Sequence, residues 1–600
     1  MMNLLFLALP ILSASMSPNP NNGITVVLEG GCKATLHSRG TPFNHWFEVE
    51  GSAGVRVQHS DTSETDFVFI DGYGRHSNEV LSCKQLHPTF DAHVKQQRLS
   101  PERIPALDKK YELNSKLKKR EKGSISKNLV LMIKWKDHDL ESIPPVEGYE
   151  ILFNSKTKDE RYAPTGSVQD FFLNQSYGAL TIDSVLSGWI ESSYTEEQVA
   201  GPLYTPTGEY KPCNGACAYA NFTLQKAIME AIEKFEKLIG PERFLEFDQD
   251  GDGTVDLFTV IHSGFGAENN GGSGVAAKWI WSHKYYLITD TDDESQYGYT
   301  APQSGLKFMP YNINPGHWGM EKVPTPGITH IGVICHEMSH YFGLPDLYDT
   351  SYETFGIGDY GLMSNSWGKD GQQLYVPSLS AASKYLLGWL RDVVPLNKSA
   401  TNLQLESYQE TGKVYVIEFS EFEFVLLENR RPTGSDSLLE GGILIWHLDT
   451  QQLESRGNSV SLEKEKPWAW GQDHPAVRLI QADGFYELEK RRCSQPNCGN
   501  GGNRGDFFGY DSSAEISDTA LPRPNLNSYQ RLGHPSGLKL YGFSDPHSST
   551  MQFSFQALSA GDDGETTDDE EIFQRPTSAV GKDTHPILLF LLAPLFLVQY

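Results

Sequence analysis

The segment from Gly327 to Gly343 constrains this chain more than any other, because it contains the pattern His-Glu-x-x-His. On a helix, His336 and His340 are one turn apart and project from the same face. Two imidazoles on one face supply two of the four tetrahedral positions of a zinc ion. Glu337, directly after the first histidine, is placed to take a proton from a metal-bound water and pass it to a leaving amine. The segment therefore predicts a helix that carries a catalytic zinc site.

The residues after this helix predict the third ligand. Gly343 ends the helix three residues after His340, and a Leu-Pro dipeptide then turns the chain so that Asp346 faces the metal. The pattern His-Glu-x-x-His-x-x-Gly-x-x-Asp is similar to the metzincin pattern, which has histidine at the last position. Met363 follows in a Tyr-Gly-Leu-Met segment that resembles a metzincin Met-turn. Two alternatives stay open: Asp346 orients a ligand histidine, or a nearby aspartate is the ligand instead, Asp349 before Asp359 or Asp370.

The likeness extends beyond the metal ligands. The segments that carry it are His336–Asp349, Gly356–Ser364, Gly166–Phe172, Ser176–Leu180, Phe422–Asn429 and Gly442–His447. In these segments the chain resembles the immune inhibitor A-like secreted metalloproteases. The resemblance implies a zinc endopeptidase that acts on proteins or peptides, is made with an N-terminal pro-segment, and contains calcium sites.

A second metal-binding pattern lies between residues 248 and 256. Its oxygen donors and a glycine at the sixth position match the first part of an EF-hand loop. Position 12 is Thr259 rather than glutamate, and the residues that follow predict a strand, so the EF-hand is incomplete. The pattern indicates either a structural calcium site or an Asp/Gly-rich turn without metal. The predicted calcium ligands are Asp248, Asp250, Asp252, Thr254 and Asp256.

Composition excludes several classes of protein. The 77 acidic residues exceed the 50 basic ones, and the net charge of -27 repels the phosphates of nucleic acids. A hydrophobic fraction of 38% with 11% aromatic residues supports a folded core and rules out wholesale disorder. No internal stretch is long and apolar enough to make this a multi-pass membrane protein. A length of 600 residues predicts several domains.

The two ends of the chain have the patterns of targeting segments. Residues 1–15 combine a short apolar run with small residues, which is typical of a secretory signal peptide. At the other end, the apolar run Pro586–Val598 is too short for an ordinary membrane span, and a polar spacer and small residues precede it. This order predicts a glycolipid (GPI) anchor attached at Ser578 after an acidic stalk at 559–578, with removal of 579–600. A short tail anchor or a packed terminal helix is the alternative.

Cysteines and glycosylation sequons agree with export to the cell surface or beyond it. Two cysteine pairs are close enough in sequence to form small disulfide rings, a third pair is the most economical remainder, and Cys335 is left alone. The predicted pairs are Cys213 with Cys217, Cys493 with Cys498, and Cys32 with Cys83. Three Asn-x-Ser/Thr triplets, at Asn174, Asn221 and Asn397, would be glycosylation sites in a secretory lumen.

The pattern of the rest of the chain predicts an α+β protein with three folded units. Residues 16–125 form a β-rich pro-segment that ends in a basic stretch, which is either a solvated linker or the site where the pro-segment is removed. Residues 126–395 form the metzincin-like zinc-peptidase domain, with a strand at Asn128–Trp135 and a helix over Leu224–Ile239. Residues 396–558 form a C-terminal β-sandwich. Its strands are predicted at Val414–Phe419, Phe422–Glu428, Gly442–Leu448, Val477–Ala482 and Met551–Leu558.

Two further functions remain compatible with this sequence. One is a surface adhesion or binding protein that keeps the peptidase fold without turnover. The intact Glu337 argues against it, because the base is a residue that an inactive relative readily loses. The other is hydrolysis of a non-peptide amide or ester at the same metal, since the polarising chemistry is the same.

Overall fold

The computed structural model describes residues 124–200, 203–204, 210–211, 222–270, 279–287, 298–319, 327–348, 354–419, 423–450, 476–489, 501–510, 515–517 and 538–557, and the backbone of six strands between residues 24 and 80. The predicted signal peptide, basic stretch, stalk and anchor signal lie outside these residues. So do Asn221, Ser578 and the six cysteines of the predicted disulfides. Within the described ranges, no helix has the length and apolar character needed to cross a membrane.

The described residues contain eight α-helices, seven short 3₁₀ helices and twenty-five strands. The helices are α1 (Val146–Asn154), α2 (Val168–Gln175), α3 (Glu196–Ala200), α4 (Phe222–Ile239), α5 (Pro241–Phe244), α6 (Ile331–Tyr341), α7 (Ala381–Leu387) and α8 (Tyr408–Thr411). The strands up to the metal-site helix are β1 (Ile24–Val27), β2 (Lys33–Thr41), β3 (Asn44–Val49), β4 (Arg56–Ser60), β5 (Ser63–Ile70), β6 (His76–Val80), β7 (Ser124–Lys134), β8 (Leu180–Glu191), β9 (Leu203–Tyr204), β10 (Tyr210–Lys211), β11 (Leu257–Phe265), β12 (His283–Tyr286), β13 (Tyr299–Thr300), β14 (Lys307–Phe308), β15 (Pro310–Trp318) and β16 (Gly327–Ile328). Those after it are β17 (Asp392–Pro395), β18 (Ala400–Glu406), β19 (Lys413–Glu418), β20 (Glu423–Arg430), β21 (Gly442–Asp449), β22 (Val477–Ile480), β23 (Ile516–Ser517), β24 (Leu538–Tyr541) and β25 (Thr550–Ala557).

The six N-terminal strands form one antiparallel sheet in the order of the sequence, β1 to β6. Each strand pairs with the next one along the chain, so the sheet needs only short connections. The short apolar runs separated by Gly and Asp in this part of the sequence therefore do form strands.

A second sheet, in the order β12-β15-β11-β7-β8, forms the centre of the region that contains the metal motif. Strands β7, β8, β11 and β15 are parallel to their neighbours, and β12 runs antiparallel at one edge. The residues Leu129–Ile133 in β7 have no exposed surface, as expected for parallel strands covered by helices on both faces. Helices α1 and α2 lie between β7 and β8 in sequence, and α4 lies between β8 and β11.

The C-terminal strands form two sheets on either side of a shared core. One has the order β17-β19-β20-β21-β22 and the other β18-β25-β24-β23. Alternate residues of the five-stranded sheet, such as Val425 and Ile445, pack in one cluster with Phe553 of the other sheet. The residues between them, such as Leu426 and Trp446, belong to the core of the metal-motif region instead. The central strands β20 and β21 of this sheet are therefore buried on both faces.

Most predicted elements are present in this structure. The helix predicted over Leu224–Ile239 is α4, and the strand predicted at Asn128–Trp135 is β7. The five predicted C-terminal strands correspond to β19, β20, β21, β22 and β25. The α+β prediction is right in that helices and several sheets are mixed. The largely parallel pairing of the central sheet is an additional finding.

Candidate metal centre

Helix α6 carries the His-Glu-x-x-His pattern through the middle of the core. Every residue of the helix except His340 is buried. The helix ends where the sequence predicted, because Gly343 has a φ of 86°, a left-handed conformation that suits glycine. After Gly343 the chain reverses direction, and the N–H of Leu344 donates to the carbonyl of Ser339 at 3.3 Å. This reversal brings Asp346 back against the face of the helix that carries the two histidines.

Three donor atoms converge at this face. The Oδ1 atom of Asp346 lies 3.0 Å from Nε2 of His336 and 3.4 Å from Nε2 of His340. The two imidazole rings are perpendicular, with centroids 4.9 Å apart. In a tetrahedral site with bonds of about 2.1 Å, neighbouring ligand atoms are about 3.4 Å apart. The observed separations are therefore close to those that a zinc ion requires.

Backbone carbonyls fix the orientation of both imidazoles. Nδ1 of His336 lies 3.1 Å from the carbonyl oxygen of Leu362, and Nδ1 of His340 lies 2.8 Å from that of Leu344. A carbonyl oxygen only accepts, so each Nδ1 carries the proton, and the neutral ring then has its lone pair on Nε2. Leu362 directly precedes the fully buried Met363, so the predicted Met-turn supplies the carbonyl that orients the first histidine.

The charges at the centre favour a cation. Burial lowers the pKa of His336, but the hydrogen bond to Asp346 and the charges of Glu337 and Asp346 together raise it to about 9. Burial raises the pKa of Asp346, yet His340 and His336 hold it well below the usual range of a carboxyl. The metal-free centre therefore keeps a carboxylate paired with a protonated imidazole, and a divalent cation would take the place of that proton. Two imidazole nitrogens and one carboxylate oxygen form a donor set that zinc uses in proteins.

Glu337 lies beside these donors with no exposed surface. Its Oε2 is 4.0 Å from Nε2 of His340, and a ligand atom of each of His336, Glu337 and His340 lies within 4.8 Å of the others. The carboxylate is thus close enough to the ligand atoms to reach a water molecule held between them.

Two neighbours of the centre were not predicted from the sequence. Glu268, after β11, accepts hydrogen bonds from the N–H and Oγ of Ser282, and burial, with a smaller effect of the Glu337 charge, raises its pKa. A Cβ at Gly266 would overlap the Glu268 carboxylate, so glycine at this position is the local sequence feature that allows Glu268 to adopt its observed position. The ring of Tyr348 stacks on His336 with centroids 6.2 Å apart.

The predicted calcium loop is only partly assembled from the five proposed ligands. The carboxylate oxygens of Asp248, Asp250 and Asp252 lie within 4.8 Å of one another. Asp256 is outside this group, because its buried carboxylate accepts the N–H of Gln249 at 3.1 Å. The N–H of Thr254 donates to Asp252 at 2.8 Å. Strand β11 follows at once, as the sequence predicted.

The remaining predicted positions are placed as follows. Asn174 and Asn397 are exposed, and Cys335 is a buried free thiol within the metal-site helix. Asp349 lies just outside the described residues.

Comparisons with known proteins agree with the motifs. Residues 147–389 match the family model described as immune inhibitor A peptidase M6, catalytic domain. The chain is 23% identical over 263 residues to immune inhibitor A of Bacillus thuringiensis subsp. alesti, an alignment that covers 39% of this chain and 35% of that protein. It is 23% identical over 242 residues to the pre-pro-metalloprotease PrtV of Vibrio cholerae serotype O1 (strain M66-2), covering 37% of this chain and 24% of that protein. The resemblance to immune inhibitor A-like metalloproteases is confirmed, over well under half the length of these relatives.

Proposed function

We propose that this chain, whose residues 147–389 match the immune inhibitor A peptidase catalytic domain, is a zinc-dependent endopeptidase that hydrolyses proteins or peptides. The observation that carries the proposal is the convergence of His336, His340 and Asp346 on one point beside Glu337. Both relatives described above are peptidases by family or by name, which supports the same class of reaction.

His336, His340 and Asp346 would hold the zinc ion. When bound, zinc supplies a Lewis acid that polarises the scissile carbonyl and lowers the pKa of a bound water. Glu337 takes the proton of the attacking water and gives it to the leaving nitrogen, a transfer that contributes about 10²–10⁴-fold to the rate. The carbonyls of Leu362 and Leu344 keep the imidazoles in the required tautomer throughout.

The maturation and location of the protein are part of the proposal. The Vibrio relative is named a pre-pro-metalloprotease, which supports a secreted precursor here as well. Strand β7 begins at Ser124, so the basic stretch between residues 116 and 122 is the place where the pro-segment would be cut, and N-terminal sequencing of the mature protein tests this. We also propose that the two C-terminal sheets form a β-sandwich and that Asp248, Asp250 and Asp252 bind calcium. The GPI anchor is tested by treating intact cells with phosphatidylinositol-specific phospholipase C, which should release the protein.

The function is tested by adding a chelator to the purified full-length chain. We expect cleavage of denatured casein to stop after metal removal and to return when zinc, but not magnesium, is restored. A chain that retains one zinc ion yet cleaves neither casein nor model esters would be the inactive binding protein. A chain that cleaves esters but no peptide would favour the non-peptide alternative.

Replacement of the third ligand gives a separate prediction. Removing a residue that only orients a ligand histidine weakens metal binding by about 10–100-fold. Because Asp346 Oδ1 is close to both imidazole nitrogens, we expect Asp346→Ala to lose more zinc affinity than that, whereas Asp349→Ala should bind zinc like the wild type. Competition with a zinc-sensitive dye measures both. The reverse order of losses would transfer the ligand role to Asp349.

A further inference from the structure

A third group of acidic side chains lies in the C-terminal part of the chain, away from the two predicted metal sites. Asp483 and Glu487 follow strand β22, and Asp506 lies in a later turn that packs against them. One oxygen of each carboxylate lies within 4.8 Å of the others. Glu487 and Asp506 are 4% and 1% exposed. Like charges this close in a poorly solvated site repel each other, and a cation bound between them would relieve that repulsion.

Asp506 has one oxygen that the polypeptide does not satisfy. Its Oδ2 accepts hydrogen bonds from the hydroxyl of Tyr360 at 2.6 Å and from the N–H of Asn503 at 2.8 Å. Its Oδ1 is buried and receives no hydrogen bond from the described residues, none of whose basic side chains lies within 4 Å of it. Oε1 of the fully buried Gln481, two residues before Asp483, also has no donor among the described residues. A buried oxygen without a donor destabilises the folded state, and a bound cation would remove that cost.

The charge of Asp506 is consistent with a missing cation. Burial raises its pKa to about 7, with smaller contributions from the charges of Asp483 and Glu487, although hydrogen bonds from Tyr360 and Asn503 oppose the shift. At neutral pH the group is therefore poised to exchange a proton for a cation. Gly505 leaves room for the cluster, because a Cβ there would overlap the Asp483 carboxylate.

We propose that Asp483, Glu487 and Asp506 bind a calcium ion. The potential ligands are all oxygens, which suit hard cations and exclude zinc and copper as preferred occupants. Calcium accepts six to eight oxygens in flexible geometry, so backbone carbonyls and waters complete a shell that three carboxylates begin. Magnesium is less suitable because it demands near-octahedral geometry and keeps most of its waters.

The loops that hold this cluster support the segment that orients the zinc ligands. The hydroxyl of Tyr360 donates to the carbonyl of Asn503 at 2.9 Å, and the N–H of Asp359 donates to that of Gly501 at 2.6 Å. The N–H of Phe355 donates to the carbonyl of Leu488 at 2.8 Å. These contacts lie just before Leu362, whose carbonyl holds His336. Calcium at this cluster would therefore stabilise the Met-turn from the side of the C-terminal sheets.

Calcium titration of the full-length, zinc-loaded chain by calorimetry tests the site. We expect the number of bound calcium ions to fall by one in Asp506→Asn and in Asp483→Asn, which keep the shape of the side chain and remove its charge. Asp250→Asn, an exposed carboxylate of the other predicted calcium loop, is the matched control, and its effect should add to that of Asp506→Asn in the double variant. An unchanged number of bound ions in both cluster variants would overturn the proposal.

Hydrogen exchange of the wild-type chain tests the same site without a substitution. Millimolar calcium should slow exchange in peptides that cover 481–489 and 501–510, and in the Met-turn peptide that covers 355–363. Equal exchange with and without calcium would contradict the proposal. If Asp506 instead keeps a proton, stability falls as the pH rises through about 7, because its folded pKa is raised, and calcium makes no difference.

Discussion

Replacement of Glu337 by glutamine should reduce peptide hydrolysis by about 10²–10⁴-fold, while the fold and the bound zinc are retained. The side chains have nearly the same shape, and Glu337 is fully buried beside the ligands, so the change removes the base without opening a cavity. The three proposed zinc ligands are other residues, so metal content should stay near that of the wild type. Single-turnover cleavage of a quenched fluorescent peptide, with zinc measured on the same samples, gives both quantities.

Glu242→Gln is the matched control, because Glu242 is exposed on helix α5 and contacts no part of the metal centre. It should cleave peptide at the wild-type rate. A Glu337→Gln variant that also cleaves at that rate would show that hydrolysis does not use this centre. A variant that loses zinc together with activity would show instead that the carboxylate holds the metal site together.

The local part of the metal centre could be predicted because its geometry follows from short sequence separations. His336 and His340 share a face since four residues make one helical turn, and Gly343 ends the helix since it alone tolerates the required φ. Asp346 is three residues further on, so a single reversal decides its position. Each of these steps depends on backbone geometry that neighbouring residues determine.

The neighbours supplied by distant parts of the chain could not be predicted in this way. The carbonyl of Leu362 orients His336 from 26 residues away, and Glu268, which follows strand β11, is close enough for its charge to interact with that of Glu337. A backbone carbonyl carries no signal in the sequence, and a glutamate two residues after a glycine is common in loops. Only the tertiary fold brings these groups together. The same holds for Asp506, which meets Asp483 across a separate loop.

The C-terminal strands could be predicted because apolar runs in them are long, but the faces they present could not. In β20 and β21 every residue is buried, so the sequence has no alternation of apolar and polar residues that would mark an outer face. Several of the buried residues are charged, including Glu428 and Arg430 in the strand β20. Charged residues in a strand ordinarily indicate a face that is exposed to solvent. The sequence therefore does not predict that the C-terminal sheet packs against the metal-motif region.

Arg430 is the centre of a buried ionic network at this contact. Its guanidinium donates to Oε1 of Glu428 at 2.6 Å and to the carbonyl of Tyr360 at 3.2 Å, and lies 3.4 Å from Asp436. The other oxygen of Glu428 accepts the N–H of Ala381 at the start of helix α7. None of the three charged side chains is exposed. The network therefore joins strand β20, helix α7 and the segment before the Met-turn.

Replacement of Arg430 by methionine should lower the free energy of unfolding by about 3–5 kcal/mol, because it leaves two buried carboxylates without their cation. Urea denaturation of the full-length chain, followed by tryptophan fluorescence, measures the change. Lys234→Met is the control, since it removes an exposed ammonium that pairs with Glu230 and donates to the carbonyl of Glu191, and it should cost about 1 kcal/mol or less. Equal losses in the two variants would show that the buried network contributes no more than a surface pair.

The pH dependence of this loss separates uncompensated charge from lost packing. Burial raises the pKa of Glu428 in the folded chain, and the charge of Arg430 opposes that rise. Without Arg430 the folded pKa rises further, so the folded variant binds a proton that the unfolded chain releases. A group whose folded pKa is raised contributes stability at low pH and loses it as the pH rises. The deficit of Arg430→Met should therefore shrink between about pH 8 and pH 5, and should shrink less when Glu428→Gln and Asp436→Asn are combined with it. A deficit that is the same across this range would mean that the packing of the guanidinium, rather than its charge, joins the C-terminal sheet to the metal-motif region.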